Sequence, residues 1–472
     1  MGGVAVKIKA LMPVAIVNPQ NGRIQSIPCQ GIVEVSSELG ESLIHDEVAE
    51  PYVLIEPRGT KEIISDEIVD ISEYESANVN VPTEDFESLI ERDSNTTQYT
   101  IPDYVTKIGD YAFAGFNTLE SVTIPSGVTS IGNRAFEGCS SLTSMTIPSG
   151  ATSIGLGAFE GCSSLTSITI PSSVASIGYY AFTGCSALTS INIPSGVTSI
   201  GLGAFKGCSS LTSITIPSSV TSIGTEAFED CSLLTSMTIP SSITSIGAYT
   251  FYGCSALTSI TIPSSITSIG QYAFCACSSL TSINIPSSVE SILGAAFANC
   301  SALTSITIPS GVTSIMTDTF NGCSSLTSIN IPSGVTSIGQ YAFRGCSALT
   351  SITIPSGVTS IMSNTFNGCS SLTSINIPSG VTLIDWYAFN GCSALTSITI
   401  PSSVTSIGHD AFNGCSSLTS ITLQGTTPPS LGSDAFKNTN NNLRIYVPST
   451  SVETYQIADG WSTYASKIQA TT

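Results

Sequence analysis

Cysteine is the first residue type in this chain that could do chemistry. Thirteen of its fifteen cysteines fall every 23 residues, from Cys139 to Cys415. Metal binding, disulfide bonding and nucleophilic catalysis are the chemistries open to such a ladder. Zinc sites pair their ligands about two to four residues apart; here the interval is 23 and no histidine keeps the same beat. Stacked repeats would bring cysteine Cα atoms within ~5 Å, near disulfide range. Thirteen thiols cannot pair evenly, however, and identical stacked side chains point the same way. A small buried residue is the better reading. Cys29 and Cys275 stand outside the ladder, and Cys275, alternating with Cys277, is expected to face outward.

Histidine offers little more. His409 precedes Asp410 in "GHDAF", and His45 is isolated in "LIHDEVAE". With serine throughout the chain, a Ser-His-Asp assignment has no specificity. Phosphate-binding loop, dinucleotide fingerprint and HExxH are all missing from the sequence. The expectation is a non-enzymatic protein that needs no cofactor or metal.

Binding chemistry is better represented. Just before and after a recurring phenylalanine the repeats diverge, as in "GYYAFT", "GAYTFY", "GQYAFR" and "DWYAFN". Tyr179, Tyr180, Tyr249, Tyr252, Tyr272, Tyr341, Trp386 and Tyr387 stand there. Tyrosine and tryptophan are frequent binding anchors, so this ridge is the candidate ligand-binding site. A second array consists of Ser/Thr/Asn pairs such as Ser190/Asn192, Ser328/Asn330, Ser351/Thr353 and Ser374/Asn376. It could meet a repeating glycan, but small and β-branched polar residues also suit a solvated sheet face, and the array lacks aromatic anchors.

These residues must be positioned by the repeat itself. Ile-Pro recurs fourteen times at 23-residue intervals, from Ile101 to Ile400. A fixed period of this size predicts a solenoid with one turn per repeat. In "LTSITIP", Leu349, Ile352 and Ile354 follow the L-x-x-L-x-L pattern of a leucine-rich repeat. Ile352 and Ile354 share one strand face, and Ser351 and Thr353 take the other. Pro355 ends the strand, Gly357 supports the turn, and Val358 and Ile361 return inward. Gly339–Cys346 reads as a short helical or 3-10 turn that packs Phe343 inside.

The pattern I-P-x-x-V-x-x-I-x-x-x-A-F-x-x-C-x-x-L-x-x-I resembles the BspA-type leucine-rich repeat. The resemblance spans roughly residues 96–450. It implies a parallel-sheet solenoid, and a binding protein or adhesin of the kind found on bacterial and protist surfaces and in phage genes.

Three domains are expected: an acidic β-rich module and linker over 1–95, a fourteen-turn solenoid over 96–423, and a cap over 424–472. Residues 1–95 carry 18 acids and 6 bases, a net of −12 within the chain's −20. Such a charge repels nucleic acid. No apolar run approaches the ~20 residues of a membrane helix, and the N-terminus does not read as a secretory signal. Short β-like runs, "VAVKIKAL", "GIVEVSS" and "YVLIEP", fill the module, and Asp85–Asp93 reads as a short helix or linker. Gly59–Pro82 resembles a segment of tail and structural proteins of phages of gut bacteria. In the cap, an irregular turn around Phe436, a strand Leu443–Val447 and a closing helix over 451–468 are expected, with Trp461 and Tyr464 covering the core. The expected role is a virion surface protein, anchored through residues 1–95, that attaches to a host cell-surface protein or glycan. A bacterial surface adhesin and a ligand-free spacer or capsid decoration are the rivals.

Overall fold

The structure, a computed structural model, describes residues 96–471 and, within 1–95, the backbone of five strands. Two compact units divide the chain, Met1–Ala77 and Asn78–Thr472.

In the second unit each repeat opens with a strand of about three residues. Ser351–Thr353 alternates exposed, buried, exposed, so Ile352 enters the core while Ser351 and Thr353 face out. Sixteen such strands run from Gln98–Thr100 to Arg444–Val447, two more than the fourteen turns expected, because the last two, Ser420–Leu423 and Arg444–Val447, lack the Ile-Pro that marks the others. Their pairing is parallel and in register, like opposite like: Ser351↔Ser374, Ile352↔Ile375, Thr353↔Asn376. A one-residue slip would turn every isoleucine to solvent, which fixes the register. Pro355 closes a tight turn by accepting the Val358 N–H at 3.1 Å. Where serine replaces the glycine of that turn, its hydroxyl ties the repeat to its predecessor, as in Ser403 Oγ to the Val381 carbonyl at 2.6 Å. The chain then forms a second parallel ladder that the sequence reading did not anticipate, for example Ser360–Ile361 against Leu383–Ile384.

Leu349, Ile352, Ile354, Val358, Ile361, Ala342, Phe343 and Cys346 are all buried within one repeat. Each large apolar side chain contributes about 1.5–3 kcal/mol by leaving water, and the next repeat supplies the same surface again. Phenylalanines stack without a break from Phe113 to Phe436, with adjacent centroids 4.9 to 5.8 Å apart. Three hydroxyl columns explain most of the Ser/Thr-rich phrase. Ser347 Oγ, Thr350 Oγ1 and Thr336 Oγ1 donate to the carbonyls of Ser324, Thr327 and Thr313, one repeat back, at 3.2, 3.5 and 3.4 Å.

Aromatic rings close both ends. Tyr99 sets its edge on Phe113 at 5.3 Å. At the far end Trp461 is fully buried and donates Nε1–H to the Pro429 carbonyl at 2.8 Å. Tyr464 sets its ring against Phe436 at 5.3 Å. The closing helix expected over 451–468 is a correction. The α-helix spans only Val452–Ile457, a 3-10 helix covers Ser462–Lys467, and a strand Ile468–Ala470 follows. Ala458 is extended and Gly460 left-handed (φ 73), and this break precedes the buried Trp461.

In the first unit Ala5–Ala10 lies between Ile32–Ser36 and Ala49–Pro51, antiparallel to both. Val14–Val17 and Ile24–Ile27 form a separate antiparallel pair. Tyr52–Pro57, Gly59–Pro82, Asp85–Asp93, Cys29 and His45 lie outside the described residues.

Candidate functional site: an aromatic ridge on left-handed turns

The ridge begins in the backbone of the Gly339–Cys346 segment. Ala342, Arg344 and Cys346 donate their N–H groups back to Gly339, Tyr341 and Phe343 at 3.3, 3.0 and 3.2 Å. The N–H groups between them point forward, from Tyr341, Phe343 and Gly345 to the Ser363, Thr365 and Asn367 carbonyls of the next repeat, at 3.1, 2.9 and 2.7 Å. The segment is therefore a run of tight turns, half of whose donors knit repeats together. Such alternation requires left-handed residues, and Tyr341 (φ 59) and Gly345 (φ 71) provide them.

The first of these positions is left-handed along the array, at Tyr111, Arg134, Gly157, Tyr180, Gly203, Glu226, Tyr249, Tyr272, Ala295, Asp318, Tyr341, Asn364, Tyr387, Asp410 and Asp434. A side chain there costs about 1–2 kcal/mol, and glycine avoids that cost. Five of the eight candidate aromatics occupy this column. Tyr179 and Trp386 come one residue earlier, and Tyr252 three residues later.

The structure gathers these rings into separate groups. Tyr249 stacks on Tyr272 at 4.8 Å and meets Tyr252 at 5.7 Å. Tyr180 lies over Gly203, where a Cβ would meet its ring carbons at 2.6 Å, and Tyr179 beside it is 60% exposed. Tyr341 carries the Arg344 guanidinium 5.6 Å above its ring. Trp386 is 56% exposed and meets His409 edge-on at 5.6 Å; Tyr387 is exposed next to it. The sequence reading missed Tyr111, an exposed member of the same column in the first repeat. Its signal was present in "GDYAF".

Cys275 is a second correction. It is buried under Tyr252 and Tyr272 with Ala295 and Ala298 rather than facing outward. Alternation of faces holds along a strand, whereas Cys275 lies on a tight turn next to small alanines. Burial pushes its thiol up to about 11. Nearby, Lys206 Nζ bridges Glu226 at 2.7 Å and Glu229 at 3.0 Å. Partial burial raises the Glu229 pKa even against the opposing pull of Lys206.

Comparison with known proteins decides the family. The model of the BspA type leucine rich repeat region matches residues 91–212, 198–327 and 313–444. The chain belongs to the BspA-type leucine-rich repeat family. A solved leucine-rich repeat protein from Bacteroides ovatus is 36% identical over 73% of this chain and 88% of its own, with a TM-score of 0.64. A leucine rich cell surface protein from Faecalibacterium prausnitzii is 34% identical over 70% and 88%, with a TM-score of 0.42. No curated protein matches.

In this BspA-type solenoid the recurring cysteine is structural. Each ladder thiol donates to the phenylalanine carbonyl of the preceding repeat, as Cys346 Sγ does to Phe320 at 3.2 Å. Burial pushes the Cys208, Cys323 and Cys415 thiols up to about 12, far from the thiolate that nucleophilic or metal chemistry needs. Among the described residues no group of three or more His, Cys, Asp or Glu is arranged to hold a metal ion. No helix of the described residues is long and apolar enough to cross a membrane. The strand face forms a shallow groove of about 470 Å³ over Ser351, Thr353, Ser374, Asn376, Ser397 and Thr399. Its lining holds no aromatic ring or charge.

Proposed function

We propose that this protein is a non-enzymatic binding protein that attaches to a host cell-surface protein or glycan through its aromatic ridge. The observation that carries the reading is conformational. Tyrosine recurs at left-handed positions where glycine, asparagine and aspartate also serve, and the exposed rings are not part of the main core. The repeat imposes the left-handed backbone on every residue type, so a large ring there in place of glycine or asparagine needs a further reason, and tyrosine and tryptophan are frequent binding anchors. The test is binding of the full chain to candidate host cells, with Tyr249→Asn/Tyr272→Asn/Tyr387→Asn as the ridge variant. Loss of binding by a variant that still unfolds cooperatively, at a temperature lowered only by the lost Tyr249–Tyr272 stack, is expected; retained binding would remove the ridge as the site.

The same reading makes residues 1–95 an anchor to a phage particle, supported by the resemblance of Gly59–Pro82 to phage structural proteins. Immunogold labelling should then find the protein on particles. Labelling of the bacterial envelope alone would favour the surface adhesin.

A further inference from the structure

Residues 312–357 and 358–403 are a near-duplicate pair. They differ at seven of 46 aligned positions, leaving 39 identical. Four of the seven differences fall within eight residues of one turn. Ser337, Gly339, Gln340 and Arg344 in the first copy become Leu383, Asp385, Trp386 and Asn390 in the second. The fold is the same in both copies, so the changes concern what the turn presents.

The second copy presents a held indole. Asp385 fixes the backbone that carries it: Oδ1 accepts the Trp386 backbone N–H at 2.8 Å and Oδ2 accepts the Ser363 hydroxyl at 2.6 Å. The ring lies over Gly408, where a Cβ would meet the Asp385–Trp386 backbone at 2.6 Å, as it would meet backbone at most glycines of that column, and Trp386 Cδ1 at 2.7 Å. His409 braces its edge. The imidazole is itself oriented, because Nδ1 accepts the Ser433 backbone N–H at 3.0 Å. A neutral ring then carries its proton on Nε2, which has no partner among the described residues.

Asn390 is uncommitted as well. In the same column Asn321, Asn367 and Asn413 donate to Asp318, Asn364 and Asp410, three residues earlier, at 2.9, 2.7 and 2.6 Å. Asn390 has Tyr387 at that place, and its side-chain amide makes no hydrogen bond among the described residues. The exposed indole is thus followed in sequence by the exposed Tyr387 and, four residues on, by Asn390 with its spare side-chain amide, and it touches the imidazole of His409 from the next repeat, whose Nε2–H is spare. An apolar face edged by hydrogen-bonding groups complements a sugar ring, which has a C–H face and an equatorial rim of hydroxyls.

Charge selects among sugars. Asp385 and Asp410 bring negative charge, Lys437 is paired with Asp434 at 3.1 Å, and the chain carries −20. An acidic sugar would be repelled. We infer that Trp386, with Tyr387, Asn390 and His409, forms a subsite for a neutral pyranose ring of a glycan. The inference rests on the ridge reading above and narrows it.

The two tryptophans supply the assay, since Trp386 is exposed and Trp461 fully buried. The full chain is titrated with neutral oligosaccharides of glucose, mannose, xylose and N-acetylglucosamine while acrylamide quenching of tryptophan emission is followed. At least one of them should shield Trp386, and the corresponding immobilised polysaccharide should retain the protein. Trp386→Ala should weaken that retention at least tenfold and Asn390→Ala severalfold, both with unchanged melting temperatures. No shielding by any of the sugars, or equal retention of Trp386→Ala, would overturn the subsite. Cell binding that is lost in the tyrosine variants but not competed by these sugars would overturn it too, while leaving the ridge reading intact.

Discussion

Two columns run along the solenoid with the same period and opposite demands. The inner column is phenylalanine in every repeat from Phe113 to Phe436, fully or almost fully buried. The outer column, two residues before it, holds Tyr, Arg, Gly, Glu, Ala, Asp or Asn, left-handed in each case. The inner column is uniform because each ring packs on two copies of itself. The outer column varies because the backbone between repeats makes the bonds there, so any side chain that tolerates the conformation will do. Where tyrosine is chosen, the main core does not demand it. That difference separates the residues that build this molecule from those that can be assigned to its work.

The sharpest test of the inner column is alkaline pH. The buried thiols have folded-state pKa values above the ordinary 9.0, with Cys208, Cys323 and Cys415 at about 12. A raised pKa favours the protonated fold, so that stability is intact below pH 9 and falls as pH rises from 9 towards 12. Each thiol loses ~1.4 kcal/mol per pH unit in that window. With twelve ladder thiols raised in this way, from Cys162 to Cys415, denaturant titrations at pH 8 and 10.5 should show a large drop in midpoint. A flat profile would contradict burial of the ladder.

Phe251→Ala, in the middle of the stack, should cost about 3–5 kcal/mol, read from chemical denaturation. Trp461→Ala should fall at the lower end of that range, because it opens only the terminal repeat. A cost equal to that of Phe251→Ala would mean that the cap is needed for the whole array. The outer column should behave differently. Tyr387→Asn relieves left-handed strain and removes no ring contact, so stability should stay level or rise by up to ~1 kcal/mol in the same measurement. A loss above 1 kcal/mol would show that the ridge is structural. The smallest effect is expected at the strand face, where Ser351→Ala should change stability by less than ~0.5 kcal/mol, since its hydroxyl has no partner among the described residues.

Much of the inner column was legible in the sequence. Ile-Pro, Phe and Cys repeat at 23 residues, and period two within "LTSITIP" places Ile352 inside and Ser351 outside. The hydroxyl columns were not legible, because serine and threonine look alike whether they donate to a carbonyl one repeat back or face water. The left-handed column was hidden as well. Tyrosine gives no hint of such a backbone, although Gly157, Gly203, Asn364 and Asp410 in the same column do. Cys275 was misplaced by carrying strand alternation into a tight turn, and the closing helix was overextended across Gly460. The eight aromatics are exposed or half-exposed at the variable turns, but their division into groups depends on contacts between repeats that no single repeat's sequence displays.

The central claim is that the outer column binds and the inner column builds. Its most direct test measures host-cell binding and melting temperature together for the full chain and the Tyr249→Asn/Tyr272→Asn/Tyr387→Asn variant. The account predicts at least a tenfold loss of binding with no more loss of stability than an aromatic stack supplies, about 0.5–1.5 kcal/mol. Undiminished binding by a stably folded variant would contradict it.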